Sequence, residues 1–268
     1  MTEQTTTRPP VPANLYAARV EQVRHYTDKL FAFTCERPTA LRFRSGEFLM
    51  IGLMNGERPL LRAYSIASPA WDDRLSFYSI KVPDGPLTSR LQHIKPGATL
   101  LFAPKPTGSL LIGNLRPGRR LFLMATGTGF APFASLLRDP EIYERFESVV
   151  LVYGCRQVAE LTYATKVTIE VREHELLAEL AAGKLDYYAT VTREAYHHEG
   201  RITDLIRSQK LFRDLGAPPL SAGDDRVMIC GNPEMTADLR RLLGGAGFVE
   251  GNSTTPGDFV VEKAFVDR

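Results

Sequence analysis

Arg62-Ala63-Tyr64-Ser65 closes the apolar run Leu60-Leu61 and leads into Ile66-Ala67. The pattern is that of a strand, in which alternate side chains share a face, so Arg62 and Tyr64 are expected on the same side. A guanidinium, an aromatic ring and a hydroxyl within four residues suit a flavin dinucleotide. They offer a cation for the pyrophosphate, a flat ring for the isoalloxazine and a small hydrogen-bonding group beside N5. The same residues also fit an ordinary surface strand, so the reading depends on what surrounds them.

From Leu15 to about Ala103 short apolar or alternating runs are broken by Gly, Pro, Asn and Asp, which is the punctuation of strands. Strands are predicted near Tyr16–Val23, Leu30–Thr34, Glu47–Leu53, Leu60–Ile66, Leu75–Val82 and Thr99–Ala103, with one helical stretch over Leu87–Ile94. Six strands with so little helix predict a small closed β-barrel over residues 15–115. Ahead of it residues 1–14 are polar and hold Pro9, Pro10 and Pro12, the pattern of a flexible lead-in with no secretory signal.

Within the barrel, Tyr78-Ser79-Ile80-Lys81-Val82 runs into Pro83-Asp84-Gly85-Pro86-Leu87-Thr88-Ser89, a strand ending in a turn that opens a helix. Free N–H groups at such a helix start, beside two hydroxyls, can cradle a diphosphate, although a plain helix cap has the same appearance. Paired with Arg62, the turn supplies the amide half of a pyrophosphate site.

Leu115-Arg116-Pro117-Gly118 marks a boundary, after which apolar runs alternate with helical segments over residues 118–268. That rhythm predicts an α/β doubly wound parallel sheet. Strands are expected at Leu121–Ala125, Val149–Tyr153, Tyr187–Thr192, Val227–Cys230 and Phe259–Glu262, with helices near Ala131–Leu137, Val167–Ala181, Thr203–Gln209 and Pro233–Leu243. Directly after the first of these strands, Thr126-Gly127-Thr128-Gly129-Phe130-Ala131-Pro132 reads as a glycine-rich diphosphate turn or as a structural strand-to-helix turn. No Gly-Lys-Ser/Thr follows, which argues against nucleotide hydrolysis. Arg156 and Arg193 follow successive strands, with Arg201 close behind, and arginines at this edge suit an adenosine 2'-phosphate better than a free 2'-hydroxyl. At the fourth strand end, Gly231 lets a flat ring approach the backbone and Cys230 sets a polarizable thiol where nicotinamide would lie; a buried inert cysteine fits equally. Phe265, beyond the last strand, is placed either to cap a planar ring or to join the core.

Composition bounds the rest. At 268 residues there is room for two cores, and 44% hydrophobic with 24% charged residues is ordinary for a globular enzyme. A net charge of +2 without a dense basic run gives no reason to expect nucleic acid, and no apolar run is long enough to span a bilayer. Three widely spaced cysteines fit a reducing cytoplasm and fall short of an iron–sulfur cluster. His197-His198 sits in a polar stretch and is expected to face water, so no metal is expected.

Taken in order, Arg-x-Tyr-Ser, Gly-Pro-Leu-Thr-Ser, Gly-Thr-Gly-x-x-Pro, Tyr-Gly-Cys-Arg, Thr-Arg-Glu and Cys-Gly-Asn-Pro resemble the bacterial-type ferredoxin/flavodoxin-NADP+ reductases from about Tyr16 to Phe265. The resemblance implies a six-stranded Greek-key barrel for FAD, a parallel-sheet domain for NADP(H), hydride exchange between the two cofactors, and single-electron exchange with ferredoxin or flavodoxin. A cytoplasmic location is expected from the cysteine usage, and a monomer is expected although the sequence leaves dimerisation open. By the same resemblance Arg62 binds the FAD diphosphate, Ala63 and Tyr64 lie on the flavin, and Ser65 sits by N5. Tyr78, Ile80, Lys81 and Val82 line the adenosine side, Gly85, Leu87 and Thr88 the diphosphate, and Thr126 the flavin. Gly127, Gly129 and Pro132 form the NADP diphosphate loop, Arg156, Arg193 and Arg201 hold the 2'-phosphate, and Cys230 with Gly231 stands by nicotinamide C4. Glu262 is a proton-relay or electrostatic group, Ala264 faces the isoalloxazine in place of a terminal tyrosine, Phe265 stacks on the adenine, and the tail Val266-Asp267-Arg268 gates access. Two other readings share parts of this pattern: a reductase component of an oxygenase system, and a non-enzymatic flavin or nucleotide sensor.

Overall fold

The computed structural model describes residues 11–263, and in it the chain makes two sheets. The first is antiparallel, built from β1 (Tyr16–His25), β2 (Leu30–Glu36), β3 (Phe48–Asn55), β4 (Arg58–Ser65), β5 (Arg74–Ile80) and β6 (Thr99–Phe102). Their order is β4-β3-β6-β1-β2-β5, and the sheet curls until Ile66, just beyond β4, bridges Phe77 of β5. The Ala67 N–H extends that closure by donating to the Ser76 carbonyl at 2.8 Å. This is the six-stranded Greek-key barrel that the sequence predicts, with a β4–β5 seam that carries a single bridge among the described residues.

Strand alternation explains what each face does. β1 buries Ala18 and Val20, whereas β2 is covered on both faces. Phe31, Phe33 and Cys35 fill the barrel, while Leu30 and Ala32 join a second core that continues into the C-terminal half. β5 divides the same way, with Leu75 and Phe77 inward and Tyr78 outward. A strand apolar on both faces cannot alternate, which is why β2 reads as a continuous hydrophobic run.

The second sheet is parallel: β7 (Arg120–Thr126), β8 (Ser148–Cys155), β9 (Leu185–Val191), β10 (Asp225–Gly231) and β11 (Phe259–Lys263), in the order β11-β10-β7-β8-β9. Leu121, Leu123 and Ala125 face the core shared with the barrel, and Phe122 and Met124 face the opposite layer. The boundary stretch is clamped to this sheet: Arg116 N–H donates to Gly257 O at 2.8 Å, and the buried Arg226 donates to Arg116 O at 3.1 Å and to Pro117 O.

Two helical expectations change, and two further helices are present. The predicted Val167–Ala181 helix is two helices, Thr162–Glu173 and Leu177–Ala181. His174 leaves helical geometry at ψ 132°, and its Nδ1 accepts the N–H groups of Leu176 at 3.2 Å and Leu177 at 3.4 Å, capping the second helix. The Leu87–Ile94 helix shrinks to the single turn Thr88–Leu91. Helices Pro140–Arg145 and Lys210–Leu215 were not anticipated, though the Asp139 side chain accepting Glu141 N–H at 3.1 Å is an ordinary cap signal. No helix of the described residues is long and apolar enough to cross a membrane.

Candidate active site

The strand order reverses between β7 and β10, and open α/β sheets hold ligands at the carboxyl ends of the strands flanking such a reversal. β7 runs into a 3-10 turn, Gly127–Phe130, and then the helix Ala131–Leu136 with Pro132 in its first turn. Gly127 has φ +55° and open space where a side chain would begin. Gly129 has the opposite surroundings, since a Cβ there would stand 2.3 Å from Cys230 O and 2.7 Å from Gly231 Cα. Gly231 in turn has φ +151°, and its Cβ would meet Thr126 Oγ1 at 2.3 Å. That hydroxyl accepts the Asn232 N–H at 2.9 Å. The glycine turn and the end of β10 therefore pack backbone against backbone at Gly129, and the Thr126 hydroxyl ties the strand ends together beside them.

On the adjoining strands Cys230 and Glu262 are register partners, each on the face that looks toward the barrel. Cys230 is buried, and burial together with the nearby Glu262 carboxylate pushes its thiol well above the ordinary range. A thiol held neutral this firmly is neither nucleophile nor base. Glu262 is buried as well; desolvation raises its carboxyl to about 7, opposed by the Ser109 N–H, which donates to Oε1 at 3.4 Å. Its Oε2 has no hydrogen-bond partner among the described residues. An orphaned buried carboxylate oxygen at a ligand edge is a place for a ligand group or a proton.

Glu262 is also where the two sheets meet. The Ser109 hydroxyl donates to Val261 O at 3.0 Å, and Gly108 packs between Glu262 and the backbone of Gly46 and Glu47. Glu47 O accepts the Ile66 N–H at 3.0 Å, and its neighbour Phe48 is the register partner of Ser65. A short path of contacts thus leads from Ser65 to Cys230. Sequence reasoning missed Ser109, whose only local signal is turn chemistry in Lys105-Pro106-Thr107-Gly108.

In β4 every residue from Leu60 to Ser65 is half-buried, so neither face is fully covered. Tyr64 packs on the barrel core and its hydroxyl accepts from Ser79 Oγ at 3.3 Å, while Arg62 Nη1 donates to Leu61 O at 2.9 Å. Tyr78 lies inside the core between the sheets, 4.5 Å from the Tyr163 ring. Beyond it Lys81 N–H donates to Lys29 O, and Val82 O accepts from Gly85 N–H at 3.1 Å and from the Thr88 hydroxyl at 3.3 Å. The Thr88 hydroxyl is therefore turned into the chain. What this turn can offer an anion is the N–H groups of Leu87 and Thr88, which make no hydrogen bond among the described residues.

The three arginines come to one end of the parallel sheet. Arg193 N–H donates to Arg156 O at 3.0 Å, and Arg201 caps the helix Ile202–Arg207 after Gly200, whose carbonyl accepts from Thr190 Oγ1 at 2.8 Å. All three side chains are exposed and their guanidinium groups make no ion pair among the described residues. His198, expected in water, instead stacks on Tyr188 at 4.0 Å and lies 3.9 Å from Asp214. No group of three or more His, Cys, Asp or Glu among the described residues could hold a metal ion. Ala264, Phe265 and the tail Val266-Asp267-Arg268 lie outside the described residues.

Residues 123–241 match the oxidoreductase NAD-binding domain family. Over 263 residues the chain is 54% identical to a flavodoxin/ferredoxin–NADP reductase of Rhodobacter capsulatus, with 97% of each chain covered. It belongs to the ferredoxin/flavodoxin–NADP+ reductases. Within that family, a ferredoxin–NADP reductase of Azotobacter vinelandii is 51% identical over 257 residues, covering 96% of this chain and all of the relative. The crystal structure of a ferredoxin–NADP+ reductase from Neisseria gonorrhoeae with bound FAD and NADP superposes with a TM-score of 0.85 at 29% identity, covering 95% of this reductase and 100% of that one.

Proposed function

We propose that the chain binds FAD along β4, exchanges a hydride between that flavin and NADP(H), and passes single electrons to or from a ferredoxin or flavodoxin. FAD when bound supplies the step between two-electron and one-electron chemistry. The observation that carries the reading is the short path of contacts from the half-buried strand Leu60–Ser65, through Glu47 and Gly108, to the buried Glu262 beside the close-packed ends of Gly129 and Gly231, where a carboxylate oxygen has no partner among the described residues.

The residues then divide the work. Arg62 and the N–H groups of Leu87 and Thr88 bind the FAD diphosphate, with Gly85, Ile80, Lys81 and Val82 shaping its course, while Tyr64 and Ala63 orient the isoalloxazine and Ser65 stands beside N5. Gly127, Gly129 and Pro132 admit the NADP diphosphate close to backbone. Gly231 leaves space for the nicotinamide, and the neutral Cys230 excludes water behind it. Glu262, half protonated near neutral pH, holds a proton at the edge of the reacting pair. By the family pattern Ala264 would face the isoalloxazine and Phe265 would stack on the FAD adenine. The chain acts as a cytoplasmic monomer. The first test is the visible spectrum of the purified protein: a flavin band bleached by NADPH far faster than by NADH, followed by reduction of ferredoxin or flavodoxin, is expected, and a colourless protein that refuses added FAD would end the proposal.

Arg193 gives a sharper prediction. A charge-assisted hydrogen bond to phosphate contributes about 1.5–3 kcal/mol, so Arg193→Ala should weaken NADPH binding about 10- to 100-fold and leave NADH nearly unchanged. Equal weakening of both cofactors would remove Arg193 from the 2'-phosphate site.

Glu262 predicts a pH dependence of stability. Its carboxyl titrates near 4.5 when solvated and at about 7 in the fold, so the folded state holds the proton more tightly. Stability therefore falls as pH rises from about 4.5 through 7, by on the order of 1–3 kcal/mol. Glu262→Gln should melt above the parent protein at pH 8 and alongside it at pH 5, measured on FAD-free protein; the same difference at both pH values would contradict this origin.

A further inference from the structure

Ser135 lies on the helix Ala131–Leu136, six residues beyond Gly129, and is fully buried. Its hydroxyl donates at 2.7 Å to the carbonyl of Ser68, three residues beyond Ser65. Ser68 is also buried, and its own hydroxyl accepts the Ser76 N–H at 3.0 Å, which fixes the receiving end within the seam that closes the barrel. Two more bonds cross beside it: Arg138 Nη1 donates to Ala67 O at 3.3 Å, and the Trp71 indole N–H donates to Arg138 O at 2.9 Å. Ala67, Phe130, Phe133 and Ala134 belong to the buried apolar core that the two halves share.

Apolar surfaces of similar shape can pack in several offsets with similar energy, whereas a buried hydrogen bond selects one. A slipped arrangement strands the Ser135 hydroxyl and the Ser68 carbonyl without partners, away from water. The helix that carries Ser135 follows directly on the glycine turn Gly127–Phe130, and Ser68 lies three residues beyond the end of β4, which closes with Arg62-Ala63-Tyr64-Ser65. Beside the Ser109 contact to Val261 and Glu262, this buried strut therefore references the two proposed cofactor sites to each other, with few residues of chain on either side.

We propose that Ser135 is a positioning residue for hydride transfer, fixing with Arg138 and Trp71 the separation between the NADP(H) held by the Gly127–Pro132 turn and the flavin held by β4. The inference rests on the hydride-exchange reading above. Transfer is steep in distance: a misplacement of about 1 Å costs on the order of 100-fold.

The experiment compares Ser135→Ala and Trp71→Phe with the parent protein in the full, FAD-loaded chain. In Ser135→Ala, single-turnover flavin reduction by NADPH should slow at least ~10-fold while FAD content and NADPH dissociation constant stay within about twofold. The isotope effect with 4-deuterated NADPH should become more temperature-dependent, and amide hydrogen exchange over residues 66–68 and 131–136 should accelerate even in protein without NADPH. Trp71 is 53% exposed, so Trp71→Phe keeps the ring without endangering the core and should show the same changes in milder form. A parent-like rate and isotope effect in Ser135→Ala, even with faster exchange, would overturn the proposal, as would a slowing explained wholly by weaker NADPH binding. If Ser135→Ala does not retain FAD, an unchanged rate and isotope effect in Trp71→Phe overturns it instead. Failure of the parent protein's flavin to be reduced by NADPH would sink the functional reading and not the strut alone.

Discussion

Gly129→Ala is expected to slow NADPH-driven flavin reduction on the order of 100-fold while leaving FAD bound. The added Cβ would stand 2.3 Å from Cys230 O, 2.5 Å from Cys230 C and 2.7 Å from Gly231 Cα. All three neighbours are backbone, so no flexible side chain can swing aside. Either the glycine turn or the end of β10 must move by several tenths of an ångström to about 1 Å, and both are walls of the proposed nicotinamide site. Displacements of that size carry losses of about this magnitude. Gly127→Ala is the informative comparison. It has open space but φ +55°, so it suffers only backbone strain of about 1–2 kcal/mol. Stopped-flow reduction of each variant, with FAD content measured in parallel, separates the two effects. A Gly129→Ala protein that is reduced at the parent rate would mean the turn lies away from the nicotinamide.

Asp225→Ala should lose about 3–5 kcal/mol of stability, a large part of the roughly 5–15 kcal/mol that holds a typical domain folded. Asp225 is wholly buried and takes both bonds of the Arg120 fork, at 2.6 and 2.7 Å, plus the Ser221 N–H at 2.7 Å. Its removal leaves the Arg120 guanidinium, 17% exposed, without its counter-charge at the start of the central strand β7. By contrast Arg119 and Glu147, next to it in the fold but 66% and 67% exposed, form a 2.8 Å pair in water. Glu147→Ala should leave stability nearly unchanged, because solvent screens an exposed pair. Urea titrations of the two variants check the contrast, and a loss under about 1 kcal/mol in Asp225→Ala would show that the pair is replaced by solvent.

The strands were legible because their signal is local. Apolar runs such as Leu121–Ala125 carry their period within a few residues, and all eleven strands lie within about three residues of their predicted ends. The glycine turns were legible as turns: Gly127 takes a positive φ, and Gly129 and Gly231 have no room for a Cβ against the neighbouring strand end. What failed was whatever depends on a distant partner. Ser109 matters because Glu262 lies 153 positions away, and Ser135 because Ser68 lies 67 away; neither has a sequence context that differs from an ordinary polar residue. His174 breaks a helix by capping the next one, and His198 leaves water for a tyrosine face; both outcomes are decided by contacts, not by pattern. Cys230 was open between an inert core thiol and a ring-facing one. It is buried, and burial pushes its thiol up, so any part it takes in the proposed site is one of shape.

The two-sided burial of β2 limits how this chain can be cut. A fragment ending after Leu115 would keep its barrel but expose Leu30, Ala32, Ala67 and Tyr78 as an oily stripe, and the remaining fragment would bare Phe130, Phe133 and Tyr163. Each piece made alone should be sticky, and the two, mixed, should seek one another. For anyone building chimeras, the interchangeable unit is thus the whole reductase, not its halves.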